Sequence, residues 1–233
     1  SMNVSKRFWA MDGTDINRMF PGYDKGETTQ RIAAALFAQI KDYRYGIQMA
    51  SFYMPGDFVP HVRMLQTGYE DVETASHFGL PFVTIRKPLP YDTTLLNYNW
   101  QIWGCKAFSL YAGQTNYVED STSMQSVEAI LRFLNKEGIV AYRNKNAGYE
   151  SVVLDEKDLC NVIARRAGIF YRLKNTGMAV KEGDVLAQIL DPYDSCVLEE
   201  VKAPVDGVVF FAHNKPLALE HAILYRIIKE EEI

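Results

Sequence analysis

The chain has 233 residues, 48% of them hydrophobic and 23% charged, with a formal net charge of −4. That length supports one sizeable core or two modest ones, the acidic balance offers no basic field for nucleic acid, and no apolar run approaches the ~18 residues of a membrane span. Ser1 to Arg7 carries no secretory apolar region, and Cys105, Cys160 and Cys196 lie far apart with none in a CxxC pair. A reducing, cytoplasmic setting is expected, with each thiol acting as a small buried hydrophobe, and neither nucleic acid nor membrane is expected as a partner.

The first half alternates helical and strand patterns. Glu27 to Lys41 sets Ile32, Leu36 and Ile40 on one helical face, with Ala33 and Phe37 beside them. Gly46 to Tyr53 reads as a strand stopped by the turn Met54-Pro55-Gly56. A short helical stretch spans Val72 to Phe78, and Pro81 to Ile85 is β-rich. Asp92 is placed to cap a helix containing Leu95, Leu96 and Trp103. Trp100 and Trp103 with Tyr98 form either a pocket wall or core. Ala107 to Ala112 reads as a buried strand, and Val127, Ile130, Leu131 and Leu134 make a helical stripe that Gly138 stops. Such alternation predicts a mostly parallel sheet with helices on both faces, an α/β domain over residues 1–141.

Polar residues from Tyr142 to Tyr149 break the periodicity and read as a linker. Short β runs follow at Val162 to Leu173, Val185 to Leu190, Val197 to Val201, Val208 to Ala212 and Ile223 to Ile228. Residues 142–233 are therefore expected to form a small all-β domain. Met178-Ala-Val-Lys-Glu-Gly-Asp-Val-Leu is echoed by Pro216-Leu-Ala-Leu-Glu-His-Ala-Ile-Leu, and Lys202-Ala-Pro-Val-Asp-Gly-Val-Val resembles the corner turn of biotinyl and lipoyl domains. Both features point to a barrel-sandwich hybrid. Asp194, Ser195 and Cys196 stand where a carrier domain presents its modified lysine, and Lys202 directly precedes the turn. A prosthetic group is not expected. The domain is expected to cover a catalytic mouth or to build a homo-oligomer. Arg165-Arg166 reads as a charged strand edge.

The most specific motif is Asp12-Gly-Thr-Asp-Ile-Asn-Arg-Met-Phe-Pro-Gly22. It resembles the D-x-N-R-x-F-P-G signature of the succinylglutamate desuccinylase/aspartoacylase family of zinc carboxypeptidase-like hydrolases, matching at Asp15, Asn17, Arg18, Phe20, Pro21 and Gly22. An arginine fork fits a carboxylate bidentately, and a neighbouring amide adds a donor. The resemblance implies that Asn17 and Arg18 hold the carboxylate of a small substrate. Read alone, the same segment is a loop before a helix in which Arg18 pairs with Asp15 or Asp24. The family also joins its α/β domain to a C-terminal hybrid barrel, so the resemblance spans the chain.

The resemblance further implies a zinc ion held by two histidines and a glutamate, with a second glutamate as general base. An H-G-x-E motif should supply the first two ligands, yet Ser1 to Ile16 contains neither histidine nor glutamate. The family's first strands and helix are expected to precede Ser1. A D-L-H should supply the third ligand, and the matching positions are Gln48, Met49 and Ala50, of which alanine cannot ligate. His61 is the substitute candidate for ligation, with a structural hydrogen bond as its alternative role. The general base falls at Tyr111 in Ser109-Leu-Tyr-Ala-Gly113, with Glu119 and Asp120 as nearby carboxylates that also suit a helix start. The expectation is a metal-dependent amidohydrolase scaffold for a small N-acyl amino acid, with no zinc bound by this chain. The alternative is a non-catalytic pseudoenzyme keeping the carboxylate clamp for binding or regulation.

Overall fold

The computed structural model describes residues 8–50, 54–114 and 119–232. Residues 51–53, the end of the first expected strand, and the opening residues 1–7 lie outside them. The described chain is a mixed α/β protein. Its elements run β1 (Tyr45–Ala50), β2 (Gly56–Phe58), β3 (His61–Leu65), β4 (Phe82–Arg86), β5 (Lys106–Tyr111) and β6 (Val152–Asp155), with α1 (Thr28–Ile40), α2 (Val72–Ser76), α3 (Leu96–Ile102) and α4 (Asp120–Lys136) among them. A mostly parallel sheet takes the order β1-β5-β3-β4-β6. Among the described residues no helix is long and apolar enough to cross a membrane.

Two compact units emerge, one holding Ser1–Met49, Arg63–Ala75 and Ile85–Ser109, the other Ala50–Val62, Ser76–Thr84 and Leu110–Ile233. In the first unit, Phe20, Ala33, Phe37, Leu96, Trp100, Cys105 and Ala107 form a core. Helix α1 forms where its periodicity predicts, but its azimuth differs. Thr29, Ala33 and Phe37 are buried, while Ile32 and Leu36 stay 39% and 42% exposed. The smaller Ala33 permits the close approach that puts its stripe inward. Of the aromatic trio, Trp100 is core and donates from Nε1 to the Ile40 carbonyl at 3.1 Å, whereas Trp103 is exposed under the Lys41 ammonium.

In the second unit α4 shows the same rotation. Ser126, Ala129, Arg132 and Phe133 are buried, and Val127 is exposed. Gly138 closes the helix at φ +70°, a conformation open to glycine because it lacks a Cβ. Residues from Tyr142 to Tyr149 form no regular element, yet they are tied down. Asn146 accepts from Arg132 Nη2 at 2.7 Å, the Tyr142 hydroxyl donates to Glu128 at 3.0 Å, and Tyr149 N–H donates to the Gly79 carbonyl at 2.9 Å.

The β-rich part of this unit contains β7 (Leu159–Ile163), β8 (Gly168–Arg172), β9 (Ala179–Val180), β10 (Val185–Leu190), β11 (Val197–Lys202), β12 (Gly207–His213), β13 (Leu217–Ala218) and β14 (Ile223–Lys229). They form two sheets, β11-β10-β8-β13 and β2-β12-β14-β7, with β9 also on β12. The short echo seen in the sequence is one piece of a full internal repeat. The run β7 to β10 corresponds to β11 to β14, and the pairings exchange. Strand β8 pairs with β10 and β13, while β12 pairs with β14 and β9. Backbone bonds at the corners also match: Gly183 N–H to Ala203 O with Ala203 N–H to Asp184 O, and His221 N–H to Ala164 O with Ala164 N–H to Ala222 O. Gly183 and His221 hold the same left-handed place, at φ +88° and +65°. Strand β2 extends one sheet only, through Phe58 opposite Phe211.

Arg165 and Arg166 lie in the turn between β7 and β8, not on a strand edge. Their backbone N–H groups donate to the Glu199 carboxylate at 2.9 and 3.1 Å. The tip between β10 and β11 carries Asp194, Ser195 and Cys196, with Ser195 at φ +62°. Lys202 pairs instead with Glu200 at 3.2 Å.

Leu186 and Leu224 occupy equivalent places in the repeat, and both are fully buried. Each Leu→Ala change should destabilise the protein by about 2–5 kcal/mol in urea unfolding, through lost burial and a residual cavity. Val197→Ala, on the exposed side of β11, should shift stability by no more than about 0.5 kcal/mol.

Candidate functional site

The first unit fixes Asn17 and Arg18 in a short 3-10 turn, Ile16–Arg18, capped by Asp15. Asp15 Oδ1 accepts the Asn17 N–H at 3.0 Å. Phe20 follows, buried against Phe37 with ring centroids 6.2 Å apart, and its N–H donates to the Thr94 carbonyl at 3.0 Å. The Phe20–Pro21 peptide is cis. Gly22 has φ +87°, and a Cβ there would overlap the backbone of Ala34 in α1. Phe20 and Gly22 thus press the loop onto α1. Asp12 Oδ2 reaches the same helix start, accepting from the Thr29 hydroxyl at 2.5 Å and the Thr29 N–H at 3.1 Å.

Asn17 is oriented from two sides. Its Oδ1 accepts the Leu96 N–H at 3.2 Å and the Gln48 side-chain amide at 3.3 Å. Because a backbone N–H must meet an acceptor, the amide oxygen faces Leu96. That leaves Nδ2 as a donor with no hydrogen-bond partner among the described residues.

Arg18 is 34% exposed along its side chain. Its Nη1 donates to the Tyr91 carbonyl at 3.2 Å, its guanidinium lies 5.7 Å from the Tyr91 ring centre, and Asp92 Oδ1 stands 3.8 Å from Nη1. Neither Asp15 nor Asp24 is its ion-pair partner; that place belongs to Asp92. Nε and Nη2 of Arg18 have no hydrogen-bond partner among the described residues. Arg18 and Asn17 thus present an arginine edge together with an amide N–H₂, a donor set whose geometry suits a carboxylate.

Asp92 was expected to cap the helix containing Leu95, Leu96 and Trp103. It sits instead inside the 3-10 segment Pro90–Thr94 and is buried. Its Oδ2 accepts the Leu89 N–H at 2.7 Å and pairs with Arg86 Nη2 at 2.6 Å. Proline at the start of that turn and two neighbouring guanidiniums draw the carboxylate inward, away from α3. Arg86 and Tyr91 thus join the candidate site without having been singled out in the sequence, while Gln48 and Asp92, read there as a motif position and a helix cap, contact Asn17 and Arg18 instead. The one available signal was the closeness of Arg86 and Asp92 in sequence around two prolines.

The positions assigned to metal and base lie in the second unit. Ala50 ends β1 with a methyl group. His61 is buried, its Nδ1 2.8 Å from the Val59 carbonyl, and its ring stacks on Tyr111 with centroids 5.4 Å apart and planes at 8°. Phe210 packs on the same imidazole at 4.8 Å. Glu119 accepts from the Ser121 and Thr122 hydroxyls at the start of α4. Among the described residues no group of three His, Cys, Asp or Glu could hold a metal ion. These residues do not fit the zinc site that the resemblance implies. Burial raises the Cys105 thiol to about 11, which suits a packing role for it.

The same architecture recurs in solved structures. A succinylglutamate desuccinylase/aspartoacylase from Rhodobacter sphaeroides matches at 21% identity and TM-score 0.78, over 98% of this chain and 71% of that one. A Silicibacter succinylglutamate desuccinylase matches at 18% identity and TM-score 0.81, over 97% and 71%. The ectoine utilization protein EutE (DoeB) of Ruegeria pomeroyi matches at 18% and 0.76, over 97% and 70%. The chain has the fold of the succinylglutamate desuccinylase/aspartoacylase proteins. No family model and no curated protein matches it.

The Asp12–Thr29 bonds give a pH signature. The Thr29 hydroxyl, ahead of the Thr14 and Thr29 backbone bonds, lowers the Asp12 pKa. A lowered folded-state pKa stabilises above the unfolded value and is lost as pH falls through the folded one. Asp12→Asn should therefore be less stable than wild type at neutral pH. The gap should close below the ordinary aspartate range, as followed by melting temperature against pH.

Proposed function

We propose that this chain binds a small carboxylate-bearing ligand, an N-acyl amino acid, through Arg18 and Asn17. The observation that carries the reading is the pair of unengaged donor groups, Arg18 Nε/Nη2 and Asn17 Nδ2, held on one 3-10 turn by Tyr91, Leu96 and Gln48. Names of the fold's solved representatives support the acyl-amino-acid class. The protein is read as a binding or regulatory module on a hydrolase scaffold, because Ala50 and Tyr111 replace the ligand and base that hydrolysis would use. We assign β7 to β14 as a barrel-sandwich hybrid, supported by the exchanged strand pairing of its repeat. Its hairpin tip lacks a lysine, so its role is structural or oligomeric, and the site of action is the cytoplasm.

A second reading is metal-dependent amide hydrolysis, favoured by the shared fold with desuccinylases. In that case the ligands would differ from those of the resemblance, with His61 as the histidine to examine. The expected result of elemental analysis on purified protein is no stoichiometric zinc. Zinc near one per chain that disappears on His61→Ala would establish the second reading instead.

The clamp itself is tested by calorimetry with N-acetyl-aspartate and its methyl ester. A charge-assisted bidentate contact contributes about 1.5–3 kcal/mol, so Arg18→Ala should weaken binding roughly ten- to a hundredfold. Arg18→Lys should lose much of the same affinity, since an ammonium cannot present the paired fork. Esterification of the bound carboxylate should erase the difference between wild type and variants. Equal affinities across the set would leave Arg18 a structural residue.

A further inference from the structure

Arg18 raises a problem of positioning. A long, half-exposed side chain loses rotamer freedom when it grips a ligand, and that loss weakens binding unless the side chain is already held. The holding group must not fill the donors that the ligand needs. Asp92 meets both conditions. Its Oδ2 is anchored by the Leu89 N–H at 2.7 Å and by Arg86 Nη2 at 2.6 Å. Its Oδ1 faces Arg18 Nη1 at 3.8 Å, within charge attraction but beyond a hydrogen bond. The Asp92 side chain is 2% exposed, so its attraction is little screened.

Arg86 completes the arrangement. Without Asp92 the two guanidiniums would repel, and Arg18, at the solvent side, is the one free to leave. Without Arg86 the negative Asp92 would oppose an incoming carboxylate. Together the two arginines and one aspartate carry a single net positive charge, with the unengaged Arg18 donors as its accessible part. We propose that Asp92 is a positioning residue that holds Arg18 in place with its fork open for a ligand carboxylate; this rests on the reading of Arg18 as the clamp.

The test has one readout that needs no ligand. The side-chain Nε–Hε resonance of Arg18, identified by its loss in Arg18→Lys, should be that of a restrained guanidinium in wild type. It should collapse toward the position of free arginine in Asp92→Asn. Since Asp92→Asn leaves the half-buried Arg86 without its ion-pair partner, the double variant Asp92→Asn/Arg86→Gln is measured too, with melting curves confirming that each is folded. In the second readout, Asp92→Asn should weaken N-acetyl-aspartate binding by about three- to tenfold, the scale of ordering one long side chain. The change should add nothing in an Arg18→Ala background. A folded variant that keeps the wild-type Arg18 resonance overturns the proposal, as does an equal affinity loss with and without Arg18. If Arg18→Ala leaves affinity unchanged while Asp92→Asn still frees the Arg18 resonance, the clamp reading fails and the positioning of Arg18 by Asp92 stands.

Discussion

The contact between Gly22 and the backbone of α1 is the constraint from which the candidate site follows. No residue with a Cβ fits there, because the left-handed φ and the Ala34 backbone both exclude it. Once Gly22 is seated, Phe20 enters the core beside Phe37, and its N–H meets Thr94. The four residues between the Asp15 cap and Phe20, Asn17 and Arg18 among them, then have little freedom. Asn17 lies over the start of α3, and Arg18 lies over the Pro90–Thr94 turn. Half of the sequence motif is therefore packing, and the other half is chemistry that the packing aims.

The division between what the sequence disclosed and what it concealed follows the range of the forces involved. Short-range signals were legible. The six motif positions announced the loop, apolar periodicity announced α1 and α4, and glycine at φ +70° closed α4 where expected. Long-range placement was not. Periodicity fixes the pitch of a helix but leaves its azimuth to whichever neighbour approaches closest. Both long helices turned Ala33 with Phe37, and Ala129 with Phe133, inward, and left Ile32, Leu36 and Val127 exposed. Asp92 likewise reads as a cap by local grammar, and only the tertiary approach of Arg18 and Arg86 makes burial of its charge sustainable. Strands β2 and β3 escaped notice because the residues between Gly56 and Leu65 are interrupted by Pro60 and mix polar with apolar side chains.

His61 and Tyr111 show the same lesson from the chemical side. Each was singled out alone, one as a substitute ligand and one as a replacement for a base. In the structure they are partners, stacked nearly parallel, with Phe58 and Phe210 closing on the imidazole. An aromatic pocket of this kind favours a neutral, flat neighbour. Tyr111, at the position where the resemblance puts a general base, is such a flat neighbour, stacked on His61.

The internal repeat carries the argument about sequence and structure one step further. Only one pair of echoing segments was visible in the amino-acid order, because the two copies share backbone roles more than side chains. The left-handed corner is glycine in one copy and His221 in the other. The first position of each copy's long central strand is Gly168 or Gly207. What the copies share is the need to pass a short strand into one sheet and a long strand into the other, with two backbone bonds holding each crossing. Alanine stands at both crossings, Ala164 and Ala203, and both are buried, since a larger side chain would part the sheets that the crossing joins. A constraint of that sort leaves a trace in residue size and backbone angle and almost none in hydropathy, so a reading based on apolar periodicity recovers the strands singly and misses the symmetry that arranges them.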